Sequence, residues 1–544
     1  MKYDSWKILS RYPKNPIQAI LDNRLIKDSA TFFNPKYDSL PKASSFPALK
    51  SAADVIRNLK KSGGKIGLFM DYDADGICGG SILFKALESL EIKVEAYIPK
   101  REEGYGLSRH AVEHFKRSKV NLLICVDCGI RNNIEIALAK ELGIETIIVD
   151  HHQITSDLPK ALVIVHPQVK NKLKFREYSG GGVAYLLARE LYRESGQEKW
   201  LIDLATISSV ADVVPLQDVN RTIIKFGMMV INKTRNLGLR KMIEKAGLKL
   251  GEISPYEVGF MIAPRINAAG RVSDPHKSFE LLTTADPKIA ADSAVELEEL
   301  NLERQRILES TQQEAIKIVE SKKLFSNRII ILKKTNWNEG VIGLVASRLV
   351  EKYFKPCIVL SQRGNLLKGS ARSIPGINIT NLIGKAEKHL MSFGGHSQAA
   401  GISLKSDNFE KVNKKINLEA KSISESLFKR VLKVDVLLEM NKINLSVANY
   451  MDKMQPFGPA NPRPVFAFEN VKISSLSKIG KEQNHYKFAL CQNIEQKYCI
   501  AFRAKENNLE IKNGDIVDIA FTVKSSVWQG EKKLDLIVED VQKK

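Results

Sequence analysis

Three short apolar runs in the first third of the chain each stop on an aspartate. "GKIGLFM" runs into "DYDADG" and supplies Asp71, Asp73 and Asp75; "VNLLICV" runs into Asp127; "ETIIV" runs into Asp150, His151 and His152. The runs are rich in Ile, Val, Leu and Phe and too short for ordinary helices. Helix-like stretches separate them, from about Ile77 to Leu90, Ser108 to Lys116 and Asn132 to Leu142. This alternation predicts a parallel α/β sheet with helical crossovers. Parallel strands bring their C-terminal ends to one edge, where ligands bind in such sheets. The acids are thereby expected at one place, and Asp212, after the apolar run "ATISSVA", is a further candidate for it.

One aspartate after a strand is ordinarily the N-cap of the next helix, and a lone His-His pair carries little meaning. Collected at one edge, carboxylates repel one another strongly, and cations remove the repulsion. Carboxylates mixed with imidazole suit Mn²⁺, and a carboxylate-rich set also admits Mg²⁺. Six acids and two histidines exceed what one divalent ion needs, so two ions are expected. Two ions about 3.5–4 Å apart serve an in-line displacement at phosphorus, which makes phosphoester hydrolysis the implied chemistry. "DYDADG" also begins like a calcium-binding EF-hand loop. That reading fails because the twelfth position from Asp71 is Ile82 rather than a bidentate Glu, and because the lead-in is strand-like.

The chain has 544 residues and a formal net charge of +21. That length implies several domains, and the charge fits nucleic acid as partner, although a solvated basic face is the bland alternative. The N-terminal residues show no apolar signal segment, and no run of about 18 apolar residues spans a membrane, so the expected compartment is the cytoplasm. Six cysteines in such a chain are no disulfide framework, and Cys125 and Cys128 read as packing residues around Asp127.

Residues 1–45 read as a lead-in packing on the first domain, 46–230 as the acid-bearing α/β domain and 231–284 as its helical part. From Pro287 to about Lys323, within 285–323, an Ala/Leu/Glu/Arg-rich stretch without Gly or Pro after its first residue reads as one connecting helix. Residues 324–423 read as a second α/β unit, and 424–544 as a small β-barrel of the OB type, a helix-like segment following its first strand.

"DYDADG", "VDCG", "VDHH" and "SSVADVVPL" resemble, in order and spacing, the four motifs of the DHH phosphoesterases. Within them the chain is most similar to the single-strand-specific DNA exonucleases, through "EEGYGLS", "PRINAAGR", "EGVIGLVASRL", "GSARSIPG", "FGGHSQAAG" and "PFGPANPRPVF". The resemblance implies a DHH domain, a DHH-associated (DHHA1) domain and a terminal OB-fold. It implies Asp73, Asp75, Asp127, His151 and Asp212 as ligands to two Mn²⁺ or Mg²⁺ ions, with Asp127 bridging. Asp71 joins this set, offsetting Phe69, which stands where many relatives have a histidine. His152 is expected to face the scissile phosphate and Asp150 to hold the histidines.

Arg265, Arg271, Ser370, Arg372, Ser373, Gly395 and His396 are expected at phosphates, and Tyr105 at a base or at the mouth of the site. Phe502, Phe521 and Trp528 are candidates for an aromatic platform on the barrel, with barrel core as the equal alternative. Asn338, Lys100 and Ala460 depart from the usual residues at their positions. The activity implied is 5′ to 3′ hydrolysis of single-stranded DNA to mononucleotides in repair and recombination. The partners implied are a helicase and single-strand-binding protein, around a monomer. The rival readings are a small-substrate phosphodiesterase and a catalytically silent scaffold.

Overall fold

The computed structural model describes residues 3–154, 157–193, 195–528 and 531–544. They form two compact units, one of residues 35–315 and 336–345, the other of residues 1–34, 316–335 and 346–544.

The first strand, β1 (Ser5–Arg11), belongs to the second unit. In the first unit, β2 (Lys65–Met70), β3 (Lys93–Tyr97), β4 (Leu122–Val126), β5 (Glu145–Val149) and β6 (Val163–Val165) form an all-parallel sheet in the order β3-β2-β4-β5-β6. Both faces are covered, which explains why β2 and β4 read as continuous apolar runs. One face packs Ile66, Leu68, Met70, Ile124 and Val126 against helices 47–61, α1 (Ala74–Ser89), α2 (Gly180–Leu191) and α3 (Ile202–Ala211). The other packs Phe69, Leu123, Cys125 and Ile148 around Phe115. Phe69 stacks on Tyr97, with 5.9 Å between ring centroids. At about 1.5–3 kcal/mol per fully buried large apolar side chain, these two layers supply much of the unit's stability.

Helix α4 (Ala263–Val272) carries "PRINAAGR" and is preceded by a π-helical segment, Val258–Ile262. Helix α5 is the expected long one and runs Pro287–Ser321; Lys323 follows in the left-handed conformation that commonly ends helices.

The second unit contains β7 (Ile330–Thr335), β8 (Cys357–Arg363), β9 (Leu366–Arg372), β10 (Ser392–Gly395) and β11 (Ala399–Lys405) in one mixed sheet, ordered β10-β11-β9-β8-β7. It also contains β12 (Val431–Leu437), β13 (Val465–Ile479), β14 (His485–Gln492), β15 (Glu495–Ala501), β16 (Ile516–Trp528) and β17 (Glu531–Lys543). The last five close into a barrel, because β13 pairs with both β14 and β16. Phe466, Phe468 and Phe521 fill it, so Phe521 is core and not platform. Phe502 is 50% exposed beside His485. The side chain of Trp528 lies outside the described residues. Strand β12, expected to open the barrel, instead flanks it through β13, and the helix Leu445–Met454 follows β12.

The expected lead-in divides. Strand β1 pairs in parallel with β12, from Ser5 opposite Val431 to Arg11 opposite Leu437. Ile17, Ile20, Leu21 and Phe32 join the barrel's core, and the Trp6 indole donates to Asp540 at 2.8 Å. Only from about Tyr37 onward, with Leu40 and Phe46, does this segment pack on the first domain. The expectation that all of it does so is corrected. Its alternating pattern, exposed and half-buried along β1, is that of an edge strand, whose partner cannot be read locally.

Candidate metal centre

The strand ladder continues one residue past each strand end. The Asp71 N–H donates to Val126 O, Asp127 N–H to Val149 O and Asp150 N–H to Val165 O, at 3.3, 2.9 and 3.2 Å. The first acid of each run is therefore held level with its neighbours at the C-terminal edge. Asp73 is the N-cap of α1, its carboxylate accepting from the Asp75 and Gly76 N–H groups. Asp75 lies in the first turn of α1, where the helix dipole favours an anion. Asp212 caps the C-terminus of α3.

Asp127 has a φ of 59°, in the left-handed region that non-glycine residues seldom occupy. Its carboxylate is approached so closely by α2 that a Cβ on Gly180 would lie 2.6 Å from Asp127 Oδ1. Neither position is an ordinary helix cap. The backbone is bent and the opposite helix stripped of a side chain to put one carboxylate where it is.

The acids meet. His151 Nε2 lies 3.1 Å from Asp127 Oδ1 and 3.6 Å from Asp75 Oδ2, and its Nδ1 lies 3.8 Å from Asp212 Oδ2. Potential ligand atoms converge in the groups Asp75, His151, Asp212 and Asp71, Asp73, Asp127, and also Asp127, His151, His152, within 4.8 Å in each case. Burial first, and neighbouring carboxylates second, push Asp71, Asp73, Asp127 and Asp212 above the ordinary carboxylate range. Burial alone would lower His151, but Asp212 and Asp75 raise it. Asp71 Oδ1 and Asp127 Oδ1 are buried with no hydrogen-bond partner among the described residues. Orphaned acceptors in an acid cluster are costly unless a cation meets them, so this donor set fits divalent metal.

Asp150 plays a different part. It accepts from the His151 and His152 N–H groups and from Ile130 N–H, and its Oδ1 is 2.8 Å from His152 Nδ1. Burial would raise its carboxyl, but the His152 hydrogen bond and the two imidazoles hold it well below the usual range. The Tyr105 hydroxyl reaches the same ring, with ring centroids 5.6 Å apart.

Three features here escape sequence reasoning. The Gly180 and Gly181 N–H groups donate to Asp75 at 2.8 and 2.7 Å, and Ser208 Oγ donates to it at 2.5 Å. Buried His166 donates from Nε2 to His152 O at 2.9 Å, bracing the His-His turn. Asn267 accepts from Ala74 N–H at 2.9 Å and clamps the start of α1. The glycine run "SGGG" at a helix start is the one signal that could have been read, since consecutive glycines cost a helix stability.

"PRINAAGR" accordingly braces the acid loop. A Cβ on Gly270 would lie 2.7 Å from Tyr72 O, and Arg101, stacked on Tyr72, donates to Gly270 O. Arg265, expected at phosphate, is buried and forks onto Glu298 while also donating to Met261 O. Arg271 donates to Gly340 O.

In the second unit, the sheet's inner face is apolar, with Ile358, Leu367, Ala371 and Ile402. The pairing puts Lys368, Ser370 and Arg372 of β9 opposite Ser403, Gly401 and Ala399 of β11, with Gly394 beyond Gly401. A Cβ on Gly394 or Gly401 would meet nothing within 4 Å, so neither glycine is required by packing. Arg372 donates to Ser370 Oγ. Ser373, in contrast, is buried and its hydroxyl donates to Ile377 O. Gly395 is needed by its turn, where a Cβ would lie 2.3 Å from Ala399 O; His396 follows it, its N–H donating to Ala399 O.

Comparison with known proteins agrees with this architecture. Residues 65–211 match the DHH family, N-terminal domain, residues 326–422 the DHHA1 domain, and residues 434–540 the RecJ OB domain, which defines the class as DHH proteins of three-domain form. The chain is 36% identical over 497 residues to the single-stranded-DNA-specific exonuclease RecJ of Bacillus subtilis, covering 90% of this chain and 63% of that protein. It is 31% identical to the RecJ of Haemophilus influenzae, covering 91% of this chain and 90% of that protein. The crystal structure of Thermus thermophilus RecJ with Mn²⁺ superimposes with a TM-score of 0.83 at 27% identity, over 99% of this chain and 80% of that one. The chain belongs to the RecJ family of single-stranded-DNA-specific exonucleases.

Proposed function

We propose that this protein is a two-metal exonuclease that hydrolyses single-stranded DNA from the 5′ end to mononucleotides, in DNA repair and recombination. The observation that carries the reading is the buried acid cluster, in which neither Asp71 Oδ1 nor Asp127 Oδ1 has a hydrogen-bond partner among the described residues and His151 Nε2 stands 3.1 Å from Asp127 Oδ1. The solved Thermus RecJ structures, one with Mn²⁺ and one with Mg²⁺, support the choice of ion. When bound, two such ions lower the pKa of a water and offset charge on phosphorus oxygens and leaving group.

The chain's own residues do the rest. Asp73, Asp75, Asp127, His151, Asp212 and Asp71 would hold the ions, Asp127 belonging to both the Asp71, Asp73 group and the His151, His152 group. Asp150 orients His152, which faces the scissile phosphate. Tyr105 stands beside His152 at the level of the entering strand. Ser370, Arg372, Gly395 and His396 contact the DNA backbone across the open face of the second sheet, where missing side chains let phosphates approach. Arg271 contributes a phosphate contact; Arg265 and Ser373 act by holding their own segments. The barrel adds nucleic-acid binding, with exposed Phe502 as its stacking candidate. The protein acts as a monomer in the cytoplasm, where a helicase and single-strand-binding protein supply substrate; no described helix is long and apolar enough to cross a membrane.

The test is product analysis on strands labelled at each end, with Mn²⁺, Mg²⁺ or EDTA. Mononucleotides released from the 5′ end in a metal-dependent reaction are expected. Hydrolysis of dinucleotides only would favour a small-substrate phosphodiesterase, and intact strands bound equally by Asp127→Ala would favour a scaffold.

A further inference from the structure

The two oxygens of Asp75 are held differently. Oδ2 accepts from Gly180 N–H at 2.8 Å and faces His151 Nε2 at 3.6 Å. Oδ1 faces away and accepts from Gly181 N–H at 2.7 Å and from Ser208 Oγ at 2.5 Å. Ser208 is fully buried, and Gly181 leaves it no slack, since a Cβ there would lie 2.4 Å from its Oγ.

The direction of these bonds follows from the inventory of protons. An ionised carboxylate only accepts, and a backbone N–H only donates. Ser208 thus has one proton and two acceptors within reach, Asp75 Oδ1 at 2.5 Å and Ser179 Oγ at 2.8 Å, and the charged, nearer carboxylate is the stronger of the two. Ser179 in turn accepts from Gly182 N–H at 3.0 Å, and Ser209 spends its proton on Ala205 O. The result is a carboxylate oxygen held from behind by one helix N–H, that of Gly181, and one buried hydroxyl, that of Ser208. Asp73 has separate support, the N–H groups of its own helix, and Asp71 and Asp127 receive nothing from these serines among the described contacts.

We propose that Ser208 is a positioning residue for one cation only. It fixes the rear oxygen of Asp75 so that the front oxygen is presented with His151 and Asp212, and it leaves the Asp71, Asp73, Asp127 group to its own supports. This rests on the two-ion reading above. Residues that orient a metal ligand in this way typically change affinity by about 10–100-fold when removed.

The experiment is a Mn²⁺ titration of the full chain without DNA, with free Mn²⁺ followed by electron paramagnetic resonance. Two classes of site are expected in the wild type. In Ser208→Ala one class should weaken by about 10–100-fold and the other stay unmoved, with melting in EDTA close to wild type. Ser208→Cys keeps the volume and weakens the donor, should shift the same class by less, and decides the matter if the alanine variant fails to fold. Equal weakening of both classes, or of neither, overturns the proposal. A wild type that binds no Mn²⁺ sinks the two-ion reading and this proposal with it.

Discussion

The Tyr105 hydroxyl stands 2.9 Å from Nε2 of His152, while Asp150 Oδ1 stands 2.8 Å from Nδ1 of the same ring. Asp150 only accepts, so Nδ1 carries the proton of that bond, and Nε2 is left facing the tyrosine hydroxyl. The two restraints are unequal. Asp150 is buried and also ties down three backbone N–H groups, whereas Tyr105 is 52% exposed. Tyr105→Phe removes one neutral hydrogen bond of about 1 kcal/mol and should lower kcat no more than about fivefold. Asp150→Asn should cost about 10–100-fold. Initial rates on labelled single strands with Mn²⁺ decide, and a larger loss in Tyr105→Phe would reverse the assignment of roles.

Gly180 has no room to change. Gly180→Ala places a methyl 2.6 Å from Asp127 Oδ1 and 2.8 Å from its Cγ, so either the carboxylate or the helix must move. A loss of activity of at least about tenfold is expected, together with weaker Mn²⁺ binding in the titration above. Gly394→Ala is the contrast for folding, since a Cβ there meets nothing; its melting temperature should match wild type while its apparent KM for DNA rises.

Burial pushes the Asp203 carboxyl up to about 6 from an ordinary 3.8; Thr234 donates to it at 2.5 Å. The folded state then binds more protons than the unfolded state between these values. The stability associated with Asp203 is complete below about pH 4 and falls as pH rises to about 6. Asp203→Asn, which still accepts from Thr234, should flatten this slope and stabilise the protein at pH 7 by on the order of 2–3 kcal/mol. Urea midpoints measured from pH 4 to 7 test it; an unchanged slope would show that the carboxyl titrates normally.

With a formal net charge of +21, DNA binding should weaken steeply with salt, as each neutralised phosphate releases counterion. An extended track of contacts requires the logarithm of affinity to fall linearly with the logarithm of salt, with a slope of magnitude several. A slope near one would confine recognition to the terminal nucleotide.

How far the sequence reveals this site depends on the range of each interaction. Asp71, Asp127 and Asp150 are legible because strand length and parallel pairing set their level, and both follow from local pattern. Gly180, Asn267 and His166 are not, because what each does is defined only by the residue it approaches, some 50 to 190 residues away for Gly180 and Asn267. Arg265 shows the converse: the resemblance implies a phosphate contact, and the pairing with Glu298 on the long helix, 33 residues on, is invisible to local pattern. The barrel's five strands are visible as β-rich runs, but β1, which pairs with the flanking strand β12, is not, since that partner lies about 420 residues further on.

That last pairing bears on how the protein is made. Ser5 leaves the ribosome about 420 residues before Val431, the residue it lies beside. At about 5–20 residues per second, the strand waits on the order of 20–90 seconds for its partner. During that time Trp6 and the first helices have no barrel to cover them, while every strand of the catalytic sheet is already synthesised. The catalytic unit can thus close early, and the emerging N-terminus must stay out of it, a task suited to its spaced, alternating polarity and its interrupting prolines.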